Sequence, residues 1–218
     1  MGFFAFVGIV TSAVVSIAAK VAAAVKTVGT VVKVLVTDPK FWETVREIIG
    51  VLKDLGIIET NEKPEEIGDK CKQAEEAGID RTKFDKFEEY EKAIREFKLD
   101  PEKSKNISIE EKLQYAMGFY SMMLEEKDKI AFEDIVKFSK YLIKFNDLLR
   151  PYSKEIFDTF REKDLSLSNI DNFFNKNLKM SEDIKVENAL VEAIQKKQPE
   201  KNRDEILDEF QEMRKAGE

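Results

Sequence analysis

A chain of 218 residues with no histidine, a single cysteine and a net charge of −7 excludes several chemistries at once. A disulfide framework is impossible, a zinc site is nearly so, and every Ser-His or Cys-His nucleophile arrangement is missing. Charged residues make up 36% of the chain beside only nine glycines and five prolines, which favours solvated helices over sheets.

The charge is unevenly spread. The first 36 residues contain no acid and only three charges, Lys20, Lys26 and Lys33. Residues 1–37 therefore carry +3, which leaves −10 on residues 38–218. An acidic body argues against nucleic acid, because neutralising phosphates takes clustered cations on one face.

Within this leader, Phe3–Ala19 has no charged side chain. As a helix it would be about 25 Å long, just short of a ~30 Å hydrocarbon core, and Lys20 and Lys26 can snorkel to extend the span. Phe3, Phe4 and Phe6 form a bulky tip. Gly8, Ser12 and Ser16 form a small-xxx-small row that lets helix backbones approach closely in an apolar medium.

From Lys20 to Val36 the reading divides. Lys26 and Lys33 share a helix face and Lys20 lies about 120° from Lys26, as on a helix lying at a membrane interface. Val32, Val34 and Val36 alternate with Lys33, Leu35 and Thr37, which suits a strand. A signal peptide would show the same apolar run, but no Lys or Arg precedes it here. Myristoylation on Gly2 is rejected because position 6 is Phe rather than Ser or Thr. Burial of the leader in its own domain is a further alternative; a helix apolar all round needs either lipid or protein around it.

Asp38-Pro39 begins the body, with Asp38 able to cap and Pro39 suited to the first helical turn. Phe41, Val45, Ile48, Leu52 and Leu55 keep helical spacing up to Gly56. Trp42 has two readings, a headgroup anchor beside the leader or a core residue. Pro64 opens a helix with Ile67, Cys71 and Ala74 inward and Gly78 as its stop; Cys71 reads as a small buried filler. Phe84, Phe87, Ile94 and Phe97 mark the next helix, and the polar, lysine-rich stretch 100–107 is the candidate linker.

Ser108 and Glu111 form a capping box for a helix carrying Leu113, Ala116, Met117, Tyr120 and Leu124. The methionines 117, 122 and 123 with Tyr115, Phe119 and Tyr120 form a soft patch, suited to core packing on two sides or to a partner groove. Ile135, Phe138, Leu142, Phe145 and Leu149 predict a long helix from Asp128 to Pro151. Shorter helices are predicted near 153–162, 169–179, 182–197 and 200–215. The expected fold is all-α, a bundle-like acidic body of about eight helices with an apolar N-terminal helix or helical hairpin. Its parts are a leader over 1–37, helical parts over 38–99 and 108–218, and the linker between them.

No catalytic, cofactor or metal site is expected. Phosphate-cradling glycine loops and Asp-x-Asp calcium loops are absent from the sequence. The adjacent acid pairs, such as Glu88-Glu89 and Glu110-Glu111, diverge by about 100° on a helix and read as solvated faces. The sequence thus predicts a non-catalytic interaction or structural protein, without a small-molecule substrate. Its leader, through Phe3, Phe4, Phe6, Gly8, Ser12, Ser16, Lys20, Lys26, Lys33 and Trp42, would dock into membrane lipid or a hydrophobic groove of a larger assembly, as in a secretion- or phage-tail-like component. The alternative is a membrane-active effector, a pore-forming or bacteriocin-like toxin that self-associates through the small-residue row. The expected location is a membrane or a secreted or assembled complex, and otherwise the cytoplasm.

Overall fold

A computed structural model describes residues 39–215, and the ten α-helices and absence of strands among them give an all-α body. The apolar helix or hairpin expected over residues 1–37 lies outside the described residues. In chain order the helices are α1 (Pro39–Asp54), α2 (Pro64–Glu76), α3 (Phe87–Glu96), α4 (Pro101–Lys105), α5 (Ile109–Met123), α6 (Phe132–Lys144), α7 (Ser153–Glu162), α8 (Ser168–Phe174), α9 (Met180–Lys197) and α10 (Arg203–Lys215). They belong to two compact units. One takes Glu59–Glu133 with the chain up to Ile49, and the other takes Gly50–Ile58 with the chain from Asp134 onward.

The first unit is built on the crossing of α2 and α5. Gly68 lies against the backbone of Lys112 so closely that a Cβ there would stand 1.7 Å from the Lys112 carbonyl oxygen. Only glycine permits that approach. Ile67, Cys71 and Ala74 on α2 are buried, as are Leu113, Ala116 and Tyr120 on α5. Phe87 and Tyr90 of α3 add rings that meet Phe119 at 5.8 and 6.2 Å between centroids. Gly78, at φ +81°, ends α2, and the amide of Ile79 donates back to the Ala74 carbonyl at 2.8 Å.

The helix expected from Phe84 starts at Phe87 instead. Asp80 accepts from the Thr82 amide at 3.0 Å and caps a 3₁₀ turn over Arg81–Lys83, which uses up the preceding residues. Stretch 100–107, read as a linker, holds α4 and lies inside the first unit. Its order has a local cause, since Asp100 accepts from the amides of Glu102 and Lys103. Past Met123 the backbone widens into a π-turn over Leu124–Asp128, closed by Lys129 at φ +56°.

The second unit has an aromatic interior. Phe173 and Phe174 of α8 meet Phe210 of α10 edge-on at 5.9 and 6.1 Å, and Tyr141 of α6 stacks on Phe174 at 5.0 Å. Ile156 and Phe160 of α7 are buried, as are Leu190, Ala193 and Ile194 of α9. The apolar stripe expected to run helically to Leu149 leaves the α-helix at Lys144. Turns over 145–149 follow, in which the Leu149 amide still donates to the Phe145 carbonyl at 2.8 Å, and Leu149 stays buried. The predicted 169–179 helix is α8 alone, because Lys176 turns to φ +58° and α9 begins at Met180.

Candidate functional site

Of the residues assigned to docking, Phe3, Phe4, Phe6, Gly8, Ser12, Ser16, Lys20, Lys26 and Lys33 lie outside the described residues. Trp42 is the exception. It is buried on α1 at 7% exposure, the position of a core tryptophan. No helix among the described residues is long and apolar enough to cross a membrane. Most of the soft patch on α5 is interior as well, with Met117, Phe119, Tyr120 and Met123 buried.

The second unit presents an open groove of about 600 Å³. Asp54, on the last turn of α1, lines it together with Asn146 and Asp147 from the turns after α6. Arg150 and Pro151, of a short 3₁₀ helix, and Ser153, Lys154 and Glu155, of the first turn of α7, complete it with Lys197 from the end of α9. Arg150 Nε donates to Asp54 at 3.0 Å and Lys197 Nζ donates to the Pro151 carbonyl at 2.5 Å. Lys197 also lies 3.6 Å from Glu155, whose Oε2 is buried without a hydrogen-bond partner, and Lys154 pairs with Asp158 at 3.2 Å. Three cations and three carboxylates thus line the groove, and its charges largely neutralise one another.

A second polar constellation lies inside the first unit. Asp69, 2% exposed, accepts from Gln73 Nε2 at 2.8 Å and pairs with Lys112 at 2.7 Å. Gln73 also donates to Ser104 Oγ at 3.0 Å and accepts from the Asp100 amide at 2.9 Å, so one buried amide ties α2 to α4. Tyr120 donates its hydroxyl proton to Glu62 at 2.8 Å, and Arg95 bridges Glu62 and Glu91. Lys127 reaches Glu91 at 3.0 Å. Burial works against the Arg95 charge, but its hydrogen bonds to Glu62 and Glu91 outweigh that and hold its pKa above the ordinary value. Burial likewise opposes the Glu91 charge, yet Lys127 and Arg95 hold this carboxyl below its usual range.

Cys71 is buried, and desolvation pushes its thiol pKa well up, against the smaller opposing pull of a hydrogen bond with Tyr90. A thiol held protonated is a poor nucleophile. Burial and the neighbouring Glu62 push up the Tyr120 hydroxyl in the same way. No group of three or more His, Cys, Asp or Glu that could hold a metal ion occurs among the described residues. The sequence signalled neither constellation, since Asp54 and Arg150 lie 96 residues apart and Gln73 and Asp100 lie 27 apart.

Fold and site together define an all-α protein of two compact helical units with a mixed-charge groove. No family model, curated protein or solved structure matches the chain.

Proposed function

We propose that the protein is a non-catalytic interaction protein whose acid-free leader docks into a lipid bilayer or a hydrophobic groove of a larger assembly. The observation that carries this reading is the division of charge, +3 on residues 1–37 against −10 on the rest. Support comes from the body, whose large apolar side chains are mostly buried and whose groove charges are largely paired. Burying the leader's apolar surface is favourable at about 25 cal/mol per Å², so it seeks a medium less polar than water. The second reading, a membrane-active effector, is favoured by the spacing of Gly8, Ser12 and Ser16, which suits helix association in lipid.

Flotation of the full chain with uncharged phosphatidylcholine vesicles tests this. The wild-type protein should float, and Val10→Asp/Val14→Asp should remain at the bottom, because an aspartate in the hydrocarbon core costs about 2.5–3.5 kcal/mol. If neither floats, but the same substitutions abolish leader-dependent assembly into a larger complex, the apolar site is a protein groove. Equal behaviour of both proteins in both assays would sink the reading. Dye leakage from the vesicles would favour the effector, and binding without leakage the anchor.

A further inference from the structure

We infer that the exposed arc of α9 is a second contact surface, and that its partner is an anionic lipid surface. The arc centres on Met180 and Ile184, 81% and 48% exposed, two of the four large hydrophobic residues exposed among those described. At 100° per residue, Ile184 lies about 40° from Met180, and Asn188, Ser181 and Lys185 follow at about 80°, 100° and 140°. All five are exposed. Lys179, also exposed, precedes the first turn.

The charges around this arc decide its partner. In a body that carries −10, these turns of α9 leave little negative charge uncompensated. Asp183 is held by Arg214 at 2.6 Å, and Glu187 by Arg203 at 3.2 Å, with Arg203 also donating to Asn188 at 2.8 Å. Glu182 falls about 200° from Met180, away from the arc. Lys179 and Lys185 make no ion pair among the described residues. Two protruding apolar side chains flanked by unneutralised lysines are complementary to a surface with an apolar interior and anionic headgroups.

Size separates lipid from protein as the partner. A standard protein interface takes about 800 Å² from each side, several times what two side chains offer. A bilayer accepts single inserted side chains, and their contributions add to those of nearby cations. This surface belongs to the second unit and does not depend on the leader reading.

The test places an environment-sensitive thiol probe on the full chain at Ile184→Cys, with Glu88→Cys, at an exposed position on α3, as the control. Cys71 is buried, so the introduced thiol takes the label. With phosphatidylcholine vesicles containing phosphatidylserine, the probe at 184 should shift to shorter emission wavelength while the probe at 88 does not. Lys179→Gln/Lys185→Gln should raise the lipid concentration at half-shift by about 25-fold, since each lysine near an anionic surface contributes about fivefold. Cosedimentation without a shift at 184 would overturn this surface and leave the leader as the contact. Neither cosedimentation nor a shift would overturn both. An equal shift on phosphatidylcholine alone would overturn the anionic assignment.

Discussion

The two helical units solve the same packing problem with different interiors. The first places charge inside: Asp69 sits under Lys112, Gln73 links α2 to α4, and Glu62 receives the Tyr120 hydroxyl. The second fills its interior with Phe173, Phe174, Phe210 and Tyr141 and leaves its ion pairs largely near the surface. A buried polar network is sensitive to the loss of any one member, because a single missing partner leaves an uncompensated group. An aromatic interior responds instead to lost volume. The first unit should therefore be sensitive to charge and acidity, and the second to side-chain size.

Four outcomes break or sharpen that contrast. Phe173→Ala should cost about 3–5 kcal/mol, the range for deleting a buried phenylalanine. Hydrogen exchange should place the loss of protection in the second unit. Lys112→Ala should cost nearly as much, about 3–4 kcal/mol, because it leaves the Asp69 carboxylate buried and unpaired. Asp69→Leu/Lys112→Met should recover much of that loss, and failure to recover would mean that the polar contacts rather than the buried charge set the cost. Gly68→Ala should cost about 3 kcal/mol, the upper end for overpacking, since its Cβ would collide with backbone rather than a movable side chain. Denaturant midpoints at constant m-value measure each of these.

The smallest effect concerns acid. Glu91 has a folded pKa below the ordinary 4.5, so its contribution is fully present above that value. It is lost as pH falls through the folded pKa. Stability of the first unit should thus decline with acidification below about pH 4.5, and Glu91→Gln should flatten that decline. A Glu91→Gln profile parallel to wild type would remove Lys127 and Arg95 as the source of the acid response.

Local signals made much of the fold legible. Pro39 and Gly56 bracket α1, and Ser108 accepts from the Glu111 amide at 3.1 Å, the N-cap half of the expected capping box, while the Glu111 carboxylate pairs with Lys72 at 3.5 Å instead. Stretch 100–107 has the polar composition of a linker, and its tie to Gln73, 27 residues earlier, was not legible in the sequence. The stripe through Phe145 and Leu149 kept its spacing past the end of α6, since the turns there preserve helix-like contacts. Trp42 was open to two readings in sequence because its neighbours suit either a headgroup layer or a core. The groove was invisible for a topological reason, as it gathers the ends of α1 and α9, the start of α7 and the turns after α6.

The central claim is a division of labour, with residues 1–37 seeking an apolar partner and the helical body folding on its own interior. Thermal unfolding, and flotation with uncharged phosphatidylcholine vesicles, of the full chain beside residues 38–218 test it most directly. The account predicts that the shortened chain keeps its helical signal and cooperative melting while losing leader-driven flotation. A shortened chain that fails to fold, or floats as well as the full one, would contradict it.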